Sequence, residues 1–98
     1  MKPIEDKVKG KTPTLVLFQK SEGQEFAELK KLIDELKAQY GDKLNIIDYD
    51  CSHNGQPKEQ YRFTEYPTWI LFKEGLELMR ESGHKTIGEL SDMVVRAM

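Results

Sequence analysis

The stretch EYPTWILFKEG, Glu65 to Gly75, decides how the rest of the chain is read. Its centre, TWILF (Thr68 to Phe72), reads as a β-strand, and LELMRE (Leu76 to Glu81) reads as another. Lys73, Glu74 and Gly75 between them give a spacing that favours an antiparallel hairpin. Upstream lie a polar loop, DCSHNGQ, and a helix-like piece of two turns at most, PKEQYRF, with Pro57 suited to a first helical position. Before that loop, LNIIDY (Leu44 to Tyr49) reads as a strand. Phe26, Leu29, Leu32, Ile33, Leu36 and Tyr40 recur at helical spacing, and Gly41 is placed to stop that helix. TLVLFQ (Thr14 to Gln19) follows Pro13 as a continuous β-branched and apolar run, the kind that a strand covered on both faces requires. The chain therefore opens as βαβ, with a helix long enough for a right-handed parallel crossover. Downstream, TIGELSDMVVRAM sets Ile87, Leu90, Met93, Val94 and Ala97 along one stripe, and Thr86 followed by Glu89 makes a capping box.

The totals narrow the function classes. Ninety-eight residues suit one domain with a modest core, spanning 1–98, with residues 1–12 as an N-terminal arm or short helix. Fifteen Lys+Arg against seventeen Asp+Glu give a net charge of −2. The basic residues are dispersed rather than blocked, so nucleic acid is not an expected partner. No apolar run approaches the roughly 20 residues of a membrane span, so no membrane association is expected. The N-terminus, MKPIEDKVKGK, lacks an apolar signal region; this favours a cytoplasmic location, or an extracytoplasmic one if a leader has been removed. A single cysteine forbids an intramolecular disulfide and a four-thiolate metal site, and no metal or cofactor is expected.

The order βαβ, short helix, ββα resembles the thioredoxin family, and EYPTWILFKEG is the most specific carrier of the likeness. The family has there a cis proline before Thr and an apolar strand, then a Phe-Lys-x-Gly turn. Gly83 falls where the family keeps a glycine, and the resemblance covers residues 12 to 98. It implies an α/β fold with a central mixed sheet of four strands, or five if a first strand exists, flanked by helices on both faces. MKPIEDKVKGK is too short for both a strand and a helix before Thr14, which leaves one sheet edge open.

The family's WCGPC motif falls on Glu22, Gly23, Gln24, Glu25 and Phe26. Both catalytic cysteines are missing, Gly23 standing for the nucleophile and Phe26, also a core position of the helical stripe, for the resolving thiol. The family's buried strand carboxylate corresponds to Leu17, the basic residue near it to Asp48, and the proline that kinks the long helix to Lys31. Disulfide exchange needs a thiolate that attacks and a thiol that resolves, so this chain lacks the dithiol chemistry. Ser21 followed by Gln24 reads as a capping box, with Glu22 and Glu25 adding favourable charge to the first turn. Ser21 is a cap rather than a nucleophile, because no histidine is near it in sequence.

What the resemblance implies for function is a redox-silent module that binds a protein or extended peptide through Ser21, Glu22, Gly23, Gln24, Glu25, Phe26, Tyr66, Pro67 and Gly83. A cis Tyr66–Pro67 bond would present the Tyr66 backbone to an extended peptide. The alternative is a single-cysteine oxidoreductase or transferase in which His53 activates Cys51, against a structural role for a semi-buried cysteine. Asp48 and Asp50 could share a strand face as paired carboxylates, or be solvated loop acids. Trp69 reads as core and His84 as surface. The chain is expected to be a monomer, with pairing through the open sheet edge as the other reading.

Overall fold

The computed structural model describes residues 5–20, 23–53 and 55–97. After a short 3-10 helix, Glu5–Val8, come β1 (Thr14–Gln19), α1 (Gly23–Tyr40), β2 (Asn45–Asp50), α2 (Gln56–Tyr61), β3 (Thr68–Lys73), β4 (Leu76–Ser82) and α3 (Ile87–Ala97). Among the described residues the four strands form one mixed sheet in the order β2-β1-β3-β4, with β1 and β2 parallel and the other pairings antiparallel. This is an α/β architecture consistent with a thioredoxin-like fold.

Every residue of β1 is buried, which is what its unbroken apolar pattern demands. Leu15 and Leu17 face Leu29, Ile33 and Leu36 of α1 and Leu90, Met93 and Val94 of α3; Trp69 and Leu71 of β3 join them. Val16 and Phe18 face the other way, into a cluster with Val8, Cys51, Tyr61, Phe63, Ile70 and Phe72. Helices thus cover both faces, the second face more thinly, by α2 and the N-terminal turn.

The local signals act where the sequence placed them. Gly41, at φ +56°, takes the left-handed conformation that stops α1 after 18 uninterrupted residues. Glu74 and Gly75 both have positive φ and form a two-residue hairpin loop, a primed turn that matches the strand twist. At α3 the capping box is reciprocal: the Thr86 N–H donates to Glu89 Oε1 at 3.0 Å, and the Glu89 N–H donates to Thr86 Oγ1 at 3.1 Å.

Two expectations need adjusting, and one attachment is new. Strand β2 begins and ends one residue later than LNIIDY, because Leu44 is buried ahead of the ladder and Asn45 pairs with Thr14. The N-terminal segment, whose attachment the sequence left open, is held against the β3–β4 turn: the Gly75 N–H donates to the Val8 carbonyl and the Glu74 N–H to the Gly10 carbonyl, both at 2.9 Å. Phe26 is not core. It is 39% exposed, whereas Leu29, Ile33 and Leu36 further along the same stripe are buried.

Two substitutions test this account. Leu36→Ala, at a fully buried site, should cost about 2–5 kcal/mol in urea unfolding, whereas Val95→Ala on the exposed face should stay within about 0.5 kcal/mol. The capping box adds a pH test. Hydrogen bonds from the Thr86 N–H and then its hydroxyl hold the Glu89 carboxyl below its ordinary range. Its contribution is therefore complete above the unfolded-state pKa and fades as pH falls through the lower folded value. Unfolding curves of Glu89→Gln should lack that part of the acid sensitivity.

Candidate functional site

The ends of β1 and β3 and the start of β4's exit loop converge with the first turn of α1. Pro67 is buried, and its bond to Tyr66 is cis. Two sets of hydrogen bonds fix the loop that holds it. On one side the Thr68 hydroxyl donates to the Glu65 carbonyl at 2.6 Å, with the Ser82 hydroxyl 3.4 Å away. On the other, the Gly83 N–H donates to the Pro67 carbonyl at 2.8 Å, while the Gly83 carbonyl accepts from the Trp69 indole at 3.2 Å. Gly83 has φ +90°, where a side chain would strain the backbone. Tyr66 is different: among the described residues its backbone enters no hydrogen bond.

Aromatic packing sets the Tyr66 ring. Phe18 lies 5.0 Å from Phe63 between ring centroids, and Phe63 meets Tyr66 edge-on at 5.5 Å. The Nζ atoms of Lys20 and Lys58 stand 6.0 and 5.5 Å from the centre of the Tyr66 ring, within cation–π range. These lysines were not singled out from the sequence, since nothing in local spacing links residues 20, 58 and 66. On the α1 side, Glu25 Oε1 is 3.4 Å from His84 Nε2, which joins the first turn of the helix to the residue after Gly83. Glu25, Gly83, Pro67 and Tyr66 therefore belong to one connected region, bordered by the exposed Phe26. Gly23 and Gln24 begin α1; Ser21 and Glu22, and with them the proposed cap, lie outside the described residues.

Leu17 is fully buried in the cluster beneath α1 and α3. Asp48 is exposed and accepts a hydrogen bond from the amide Nε2 of the buried Gln19. Asp50 is occupied separately by Ser52, whose hydroxyl and then backbone N–H hold its carboxyl below the ordinary range.

Cys51 and His53 are not brought together. Cys51 is 2% exposed in the aromatic cluster, and its thiol is 3.9 Å from the Tyr49 carbonyl. Burial pushes the Cys51 thiol pKa up, Asp50 adds to the rise, and a Tyr66 hydrogen bond and the Lys20 charge pull against it. The exposed His53 bears on Asp50 instead. Among the described residues no three His, Cys, Asp or Glu side chains gather as a metal site, and no helix is long and apolar enough to cross a membrane.

In the native protein at neutral pH, Cys51 should react with iodoacetamide at least about tenfold more slowly than in urea. The rate should rise only above the ordinary thiol range. Fast alkylation at neutral pH would contradict the placement of this thiol.

No protein-family model matches the sequence. The chain is 31% identical over 64 residues to mouse endoplasmic reticulum resident protein 44, a match covering 62% of this chain and 16% of that protein's length. Among solved structures, a designed protein superposes with a TM-score of 0.84 at 20% identity, over 96% of this chain and 83% of the other. A malarial protein superposes with a TM-score of 0.76, also at 20% identity, over 87% of this chain and 96% of its own. The structural likenesses establish a shared fold, and the short match to the mouse protein is consistent with the thioredoxin-like relationship that residues 65 to 75 suggested.

Proposed function

We propose that this chain is a redox-silent thioredoxin-like module that binds a protein segment in extended form, with the Tyr66 backbone as the central contact. The observation that carries the reading is that the Tyr66 N–H and carbonyl enter no hydrogen bond among the described residues, in a loop whose neighbours on both sides are fixed. A peptide strand pairs with such groups without any sulfur chemistry, and the rigid loop lowers the ordering cost of binding. Pro67 and Gly83 shape the backbone of the site. Glu25 and Phe26 stand on the side where peptide side chains would be read, and the binding role expected of Ser21, Glu22, Gly23 and Gln24 is proposed with them from the sequence alone.

The absence of cysteine from residues 22 to 26 removes the dithiol reaction, and the only thiol in the sequence is buried at Cys51. The rival reading, catalysis by Cys51 with His53, has less support, because the two side chains have different partners and burial raises the thiol's pKa. A chain of this kind acts as a monomeric adaptor for a protein partner.

Insulin reduction with dithiothreitol should proceed no faster with this protein than without it; turnover like that of a dithiol thioredoxin would refute the reading. In an amide NMR titration with a pool of extended peptides, shifts should centre on Tyr66, Gly83 and the Trp69 indole. Phe26→Ala should weaken binding by about tenfold, the usual scale for an exposed aromatic contact. Peptide-induced shifts confined to other surfaces, or none, would sink the proposal.

A further inference from the structure

The sheet ends on β4, and among the described residues no strand pairs with its outer side. This edge is not blunted by hydrophilicity alone: Leu76 is 66% exposed and Leu78 42%. An open edge carrying leucines invites another strand. Its charges then decide which strand. With two copies of β4 antiparallel and all seven residues paired, Glu77 of each would face Glu81 of the other, twice, and like charges directly opposite are destabilising. The register shift at Leu71/Phe72, which leaves Leu78 as an extra residue, further disturbs a flat self-pairing.

A groove runs beside this edge, between β4 and α3. It has a volume of about 170 Å³ and is lined by Met79, Glu81, Glu89, Asp92, Met93 and Arg96. Two thioether side chains form its apolar part, and three carboxylates against one guanidinium leave its rim acidic. The carboxylates are differently committed. Glu89 caps α3 and Glu81 lies 3.6 Å from Lys85, whereas Asp92 makes no ion pair among the described residues. On the opposite face of the sheet Glu77 is already neutralised by two contacts from Arg80, at 2.8 and 2.6 Å. The negative charge left without an ion pair among the described residues is thus that of Asp92, on the α3 side of the groove, beside the more loosely paired Glu81.

We propose that β4 and this groove receive an extended, lysine-bearing segment of a partner protein, which adds to the sheet as a further strand. Backbone pairing along β4 supplies the affinity, and alternate side chains of the added strand project over the α3 face. A lysine there lays its methylenes on Met79 and Met93 and carries its ammonium to Asp92 and Glu81. This surface is independent of the Tyr66 backbone, so one chain can hold two partner segments.

The test uses the intact chain and three peptides of about nine residues, a length that covers one strand. One alternates lysine with valine, one replaces two central valines with proline, and one has glutamate in place of lysine. The lysine peptide should shift the amides of residues 77–82 and of Asp92, Met93 and Arg96. Its Kd should rise at least about fivefold in the Glu81→Gln/Asp92→Asn double variant, whose two sites are exposed and should leave the fold intact. The proline peptide should bind at least about tenfold more weakly. Equal binding of the glutamate peptide, an unchanged Kd in the double variant, or shifts away from β4 would overturn the proposal. So would β4 amide shifts that depend on the protein's own concentration, which would make a second copy the occupant.

Discussion

The structure depends on the burial of β1 from both sides. A strand with all six residues inside needs an apolar layer on each face, and the two layers are supplied by different parts of the chain. The α1 and α3 stripes provide one, with Leu36, Leu90 and Val94 at or near zero exposure. The other is assembled from short pieces, Val8, Cys51, Tyr61 and Phe63, that could not hold a conformation alone. Their anchor is Phe18, whose ring packs against those of Tyr49, Tyr61 and Phe63. Removing Phe18 would leave the thin face without its common contact, while the helical face would keep most of its own.

The same burial places the candidate site. Trp69 fills the helical face, yet its indole N–H must find an acceptor once buried, and the acceptor is the Gly83 carbonyl. Gly83 in turn donates to Pro67. A core side chain therefore sets the loop between β4 and α3, and that loop sets the proline beside Tyr66. On the other face the line Phe18–Phe63–Tyr66 fixes the Tyr66 ring. Two core layers meet at one backbone position, and this is what gives the candidate site its rigidity.

Much of this was legible because it is written in local patterns. The apolar run of β1, the stripe of α1 and the Thr86–Glu89 box each state their structure within a few residues. The hairpin was legible for the same reason, although Lys73 belongs to β3 and only Glu74 and Gly75 turn. What escaped was long-range. Phe26 has the spacing of a core residue, but spacing does not tell how far along a helix the burial extends. The attachment of the arm to the β3–β4 turn rests on backbone hydrogen bonds, which no side-chain pattern encodes. Lys20, Lys58 and Tyr66 are 38 and 8 residues apart at best and meet only through the fold. The groove beside β4 escaped too, since half its lining looks like the solvated face of an ordinary helix.

The departures from the thioredoxin pattern make sense together in terms of desolvation. A carboxylate at position 17 would stand among Leu15, Leu29, Ile33 and Trp69, where an ionised group costs several kcal/mol unless paired. Such a cost is sustained where the group exchanges protons with a thiol. With no cysteine among residues 22 to 26, leucine at 17 avoids that penalty and adds packing instead. The polar contact that remains nearby, Gln19 to Asp48, places its formal charge on the exposed partner and its neutral amide inside. The helix end changes in the same sense: Glu25 is a fixed negative charge near the positive end of α1, and it reaches His84 across the site. Leucine at 17 and the Gln19–Asp48 and Glu25–His84 contacts thus all stabilise the scaffold, and none of them places a charge in the core.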